Sequence, residues 1–152
     1  MPTYRTIASS TQMTMVSNGA SVAAGSMSGT ADIATALASS NHFNYPVVDV
    51  ALYGTFGGSI SSLSNFLNIY RRDLDIDGTN DAPTPQTAAP AYSSALVGVI
   101  SIPPYTAASS GYFSCPNVPI TENCQFFVEN KTNATLSLGW TLKCKPKTDA
   151  YA

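Results

Sequence analysis

Apolar positions along this chain recur with a period closer to two than to 3.6, as expected for strands whose side chains alternate between two faces. Near the C-terminus, Trp140, Leu142 and Cys144 alternate with Thr141, Lys143 and Lys145. One face is apolar and the other cationic, which predicts a half-buried strand. Residues 46–56 set Val48, Val50 and Leu52 against Asp49, Ala51 and Tyr53, then stop at Gly57-Gly58. Residues 66–76 read as a further strand, with Tyr70, Leu74 and Ile76 on one face and Arg72 interrupting it. Residues 95–102 are closed by Pro103-Pro104, and Tyr112 to Ser114 is a short strand before Cys115-Pro116. Residues 123–130 contain Phe126, Phe127 and Val128 and end in the turn-prone Asn130-Lys131-Thr132-Asn133. That pattern predicts a hairpin whose second arm covers about residues 135–145. Two more strands are expected near 4–8 and 12–17.

About eight short strands separated by turn residues predict an all-β fold, an antiparallel and jelly-roll-like sandwich. Residues 32–39 (DIATALAS) are ambiguous, since their alanines permit a short helix that Thr35 and the flanking small polar residues weaken. The main irregular segment, 77–94, carries three prolines that block regular pairing; it reads as an extended arm or loop long enough to contact something. Strands on both sides of it are needed to complete two sheets, so residues 1–152 read as one domain. Residues 45–148 form the sandwich core and 1–44 form an extended arm or outer strands.

Composition narrows the function. The chain is 44% hydrophobic but only 11% charged, less than half of the roughly 25% usual in soluble domains. Seven basic and nine acidic residues leave a net charge of -2. No basic patch for nucleic acid can be assembled from so few dispersed cations, and disorder needs the opposite balance of charge and hydrophobicity. The run from Ala95 to Ile100 is far shorter than a membrane span. The start lacks the layout of a secretory signal, so folding in the cytosol is expected. Three cysteines allow at most one internal bridge, Cys115 to Cys124; the alternative is three reduced thiols packed as small apolar groups.

The candidate chemistry is sparse. Asp73, Asp75 and Asp77 followed by Gly78 match the front half of a calcium loop, where alternate carboxylates converge on a hard cation. The match fails at Thr84, which stands where a bidentate glutamate is needed. No cofactor is expected, and calcium is the one candidate ion. The alternative puts Asp73 and Asp75 on the outer face of a strand and Asp77-Gly78 in its turn. Like charges at alternate positions repel unless opposed, and Lys143, Lys145 and Lys147 repeat the spacing with the opposite sign. Arg71, Arg72, Asp73 and Asp75 with these three lysines are therefore expected to form an interface, either between neighbouring strands or across a subunit boundary. His42 is the single histidine, with no ligand or nucleophile spacing around it. Neither a Gly-x-Ser-x-Gly elbow nor a phosphate loop occurs, so no catalytic residue is assigned and the chain reads as non-enzymatic. The triplets at Asn130 and Asn133 read as turn residues, and Trp140 reads as core.

The stretch from Asn68 to Pro83 (NIYRRDLDIDGTNDAP) resembles small structural proteins of tailed bacteriophages. Cys124 to Thr132 (CQFFVENKT) and Leu138 to Lys143 (LGWTLK) reinforce the likeness, which covers about residues 45–148. The resemblance implies a β-sandwich virion protein, foremost a capsid decoration (cement) protein on the capsid surface, made in the bacterial cytoplasm. Its implied partners are the major capsid protein and copies of itself, a trimer first. A tail-tube or head-tail junction component is the alternative within that family. From another class, a carbohydrate-binding module would use exposed Tyr92, Tyr105 or Tyr112. A low-charge surface rich in Ser, Thr, Asn and Ala suits lattice packing, because little must be desolvated. Residues 3–28 would then either pair with a neighbour's sheet edge or fold into their own sandwich as outer strands.

Overall fold

The strands expected from the alternation are present, in two antiparallel sheets. The computed structural model describes residues 4–8, 12–29, 47–61, 64–74, 76–85, 96–104, 106, 110–121 and 124–151. The ambiguous stretch 32–39, His42, Asp75, Tyr92, Tyr105 and the second half of the proline-bearing segment lie outside them. The strands are β1 (Tyr4–Ala8), β2 (Met13–Gly19), β3 (Val47–Thr55), β4 (Phe66–Asp73), β5 (Leu96–Ser101), β6 (Ser110–Pro119), β7 (Cys124–Asn130) and β8 (Trp140–Tyr151).

One sheet runs β1-β8-β3-β6, with β2 also paired to β8, and the other runs β5-β4-β7. The twelve residues of β8 give room for two partners in succession. Gly19 and Met13 of β2 lie opposite Trp140 and Cys144, while β1 lies opposite Lys147 to Tyr151. Beyond β2 the chain leaves this sheet for the other. Gly25 N–H donates to the Asn130 carbonyl at 2.7 Å and Ser28 N–H to the Val128 carbonyl at 2.8 Å, along the outer edge of β7. This crossing, with the strand order, makes the fold a jelly-roll-like sandwich. Of the two alternatives for the N-terminal segment, residues 13–19 follow the outer-strand one.

The core lies between the sheets. Val48, Val50 and Leu52 from β3, Trp140, Leu142 and Cys144 from β8, and Phe113, Cys115 and Val118 from β6 meet Leu67, Ile69, Ile100, Cys124, Phe126 and Val128. Burying one such side chain contributes about 1.5–3 kcal/mol. The sheets approach closely at Gly98 of β5, where a β-carbon would come within 2.9 Å of Cys115 Sγ and 3.0 Å of Val118 Cγ2.

Three expectations are corrected. The hairpin at Asn130–Asn133 does not form, because β7 pairs with β4 and β8 pairs with β1, β2 and β3. The intervening segment instead arches from one sheet to the other. Asn130 is completely buried and organises it: its amide donates to the carbonyls of Val22 (2.9 Å) and Ala134 (2.8 Å), and its oxygen accepts from Thr132 N–H and Thr132 Oγ1. Leu136 then bridges to Val22 and Phe56. The strand expected at 66–76 ends at Asp73, and Ile76 is exposed in a turn that returns to Asn80. Conversely, the strand near Tyr112 runs on through Pro116. It survives because β6 is an edge strand with a bulge opposite Asp49, where a missing N–H costs no ladder bond. Asn117 takes a positive φ of 59° there, and its N–H donates to Asp49 Oδ1.

Candidate docking face

The outer face of the five-stranded sheet follows from the same alternation that builds the core. With Val48, Val50 and Leu52 inward, β3 turns Asp49, Ala51, Tyr53 and Thr55 outward. The register sets Tyr53 between Tyr112 of β6 and Thr141 of β8, Ala51 between Ser114 and Lys143, and Asp49 beside Lys145. The rings of Tyr53 and Tyr112 stand 4.5 Å apart between centroids, tilted by 38°. Tyr112 is 74% exposed. Next to them the hydroxyls of Thr55 and Ser110 are 3.0 Å apart. The face therefore presents an aromatic pair within a field of small hydroxyl-bearing residues.

Three lysines of β8, Lys143, Lys145 and Lys147, share this face with Asp49. Lys147 pairs with Asp49, whose carboxylate is also occupied by Asn117 N–H. Among the described residues, Lys143 and Lys145 make no ion pair, although they project from the same face. Arg71, Arg72 and Lys131 are paired with Asp73, Asp81 and Glu129.

The expected pairing of acidic and basic ladders on neighbouring strands does not occur. Asp73 lies at the end of β4, whose neighbours are β5 and β7, whereas the lysines lie on β8 in the other sheet. Asp73 is held by Arg71 at 2.8 Å and by Thr121 Oγ1 at 2.7 Å. Arg72 donates to the Ala82 carbonyl at 2.7 Å and pairs with Asp81. The first part of the proline-bearing segment is thus folded back on its own strand. Asp77 is turned to its own loop and accepts from Asn80 Nδ2, Asn80 N–H and Thr79 N–H. Those bonds hold its carboxyl below the usual range. Among the described residues no three Asp, Glu, His or Cys side chains gather as a metal site, and the Asp77 bonds are those of an Asx turn.

A second polar cluster, on the outer side of the three-stranded sheet, has no counterpart in the sequence expectations. Glu129 is 2% exposed. Its Oε2 accepts from Asn68 Nδ2 at 2.8 Å and from the Tyr70 hydroxyl at 3.0 Å, and its Oε1 pairs with Lys131 Nζ at 2.8 Å. Burial opposes ionisation, but the hydrogen bonds from Lys131, Asn68 and Tyr70 outweigh it and hold Glu129 below the usual carboxylate range. The same carboxylate's hydrogen bond pushes Lys131 upward. Burial, then Glu129, raises Tyr70. The sequence signal for this cluster was faint: Glu129 and Lys131 share a strand phase, but their cross-strand partners are about sixty residues away.

The three thiols are free and buried. Cys115 and Cys124, the candidate bridge, belong to different sheets. No protein-family model matches the chain, and no curated protein or solved structure matches it either.

Proposed function

We propose that this chain is a non-enzymatic structural protein of a tailed-phage virion, a capsid decoration protein that bridges and stabilises capsid subunits. The observation that carries this reading is the outer face of the five-stranded sheet, where the exposed Tyr53–Tyr112 pair lies on the same face as Lys143 and Lys145, which make no ion pair among the described residues. Tyrosine supplies large contact area at low entropic cost and is enriched where protein surfaces meet. Lys143 and Lys145 call for an acidic partner surface, and we assign it to the major capsid protein. Pairing of Arg71, Arg72 and Lys131 with their own acids lowers the field elsewhere, which suits close packing among copies. The jelly-roll-like architecture is one used by viral capsid domains, a fold-level analogy. Binding only to the assembled shell would stabilise that shell by mass action.

The test uses particles carrying a tagged copy. Stripping the protein should leave particles intact but easier to burst by heat. Tyr112→Ser and the double change Lys143→Glu with Lys145→Glu should lower occupancy on particles while the purified chains stay folded. A chain absent from purified particles retires the reading. Undiminished occupancy of both folded variants retires this face as the contact.

The same tyrosine pair supports one reading of another class. Adjacent, tilted tyrosines flanked by the hydroxyls of Thr55, Ser110 and Thr141 suit a sugar ring, whose C–H face packs on aromatics. A glycan array that binds the wild type and not Tyr112→Ala would favour it.

A further inference from the structure

The Glu129 cluster holds an amine and a carboxamide on the two oxygens of one buried carboxylate. Lys131 Nζ lies 2.8 Å from Oε1 and Asn68 Nδ2 lies 2.8 Å from Oε2. Asn68 sits directly opposite Glu129 in the β4–β7 ladder, and Lys131, two residues on, is its diagonal neighbour. A lysine side chain spans that diagonal. Asn68 is 8% exposed and Glu129 2%, so the carboxamide and the carboxylate are withdrawn from water, while the lysine stem enters from the solvent side. We propose that Lys131 and Asn68 are the two halves of an intramolecular isopeptide bond whose formation Glu129 catalyses.

The chemistry is complete within the three side chains. The Lys131 ammonium passes one proton to Glu129, giving a neutral amine and a carboxylic acid. Nζ attacks Cγ of Asn68 and a C–N bond forms. Glu129 carries protons from the attacking nitrogen to Nδ2, the Cγ–Nδ2 bond breaks, and nitrogen departs as ammonium, leaving Glu129 a carboxylate again. No oxidant or co-reactant is consumed. One feature favours the step: fixed neighbours convert a bimolecular aminolysis into an intramolecular one. The ion pair is the resting form, so the neutral nucleophile is scarce and the bond matures after folding. Tyr70, whose hydroxyl also reaches Oε2, keeps the carboxylate in place and acts as a positioning residue.

This inference is independent of the virion reading and needs no particle. The purified 152-residue chain is weighed intact after prolonged incubation in the folded state, alongside Lys131→Arg and Glu129→Gln. Lys131→Arg keeps the charge opposite Glu129 but forms no bond to Asn68. The wild type should be lighter than its sequence mass by one ammonia, and proteolysis should release the peptides containing Asn68 and Lys131 as one linked species. Both variants should keep their full sequence mass. A folded wild type at full mass overturns the proposal. So does a mass deficit that persists in Lys131→Arg, since cyclisation of an asparagine on its own backbone also expels ammonia.

Discussion

Gly19 and Trp140 face each other across the β2–β8 ladder, and a β-carbon at Gly19 would overlap the indole ring. The ring is 1% exposed, and its Nε1–H donates to the Ala20 carbonyl at 2.7 Å. The glycine is therefore required by space, so that the largest side chain of the core can lie flat against the strand beside it. Gly19→Ala forces the indole from this seat and its hydrogen bond, an overpacking cost of about 1–3 kcal/mol. Thermal melting should record a loss of about 2–4 °C per kcal/mol. A near-neutral result would mean that β2 slides along β8 freely.

Asn130 should be the least replaceable polar residue among those described. Its side chain satisfies two carbonyls and two Thr132 donors within the arch between the sheets. Asn130→Ala removes these four bonds from a dry interior: Thr132 N–H loses its acceptor, while the Val22 and Ala134 carbonyls keep only Leu136 N–H and Thr132 Oγ1. Each unsatisfied group costs about 1–3 kcal/mol. A loss of roughly 2–4 kcal/mol is expected in denaturant titration. Asn130→Asp should also destabilise, because a carboxylate cannot donate to Val22 and Ala134. Wild-type stability in either variant would show that the arch is held elsewhere.

Glu129 makes part of the stability acid-sensitive. Its folded pKa is depressed, so the unfolded chain takes up its proton first as pH falls. The contribution is complete above the ordinary glutamate value of 4.5 and drains away below it, through the lower folded value. Glu129→Gln lacks this titration. The difference in unfolding free energy between wild type and variant should therefore be flat above pH 4.5 and shrink below it. A difference independent of pH would mean that the carboxyl titrates alike in the folded and unfolded chains.

What was legible in the sequence depended on range. The phase of Val48, Val50 and Leu52 against Asp49, Ala51 and Tyr53 is local, and it fixed both the inward face of β3 and the exposure of Tyr53. Trp140, Leu142 and Cys144 did the same for β8. What failed was pairing. Asn130-Lys131-Thr132-Asn133 has the residues of a hairpin turn, but Asn130 spends its side chain on Val22, over a hundred residues upstream, and no local pattern records that partner. The Asp73 and Lys143 ladders shared a spacing without sharing a sheet. Tyr112 and Tyr53, or Asn68 and Glu129, meet only because the strand order brings β6 to β3 and β7 to β4. Local alternation specifies which face a residue takes; the identity of the neighbour on that face is set by topology.

The thiols give the last prediction. Cys115 and Cys144 flank Val50 in register on the inner face of one sheet, and Cys124 points into the core from the other. Burial pushes the Cys144 thiol up to about 12, with a smaller contribution from nearby Cys124. Burial likewise raises Cys124 against the opposing hydrogen bonds at Thr121. Only a thiolate attacks a disulfide reagent, and it must first be reached. In the native chain at mildly alkaline pH, labelling should therefore be slow at every cysteine and limited by opening of the sandwich. Addition of denaturant should release three equivalents at once, since all three are free. Two stable equivalents fewer would reveal a bridge and a different packing of the core. Rapid native labelling of one thiol would show that its strand leaves the sheet far more readily than the rest, and the rate at each position would then rank the local stability of β6, β7 and β8.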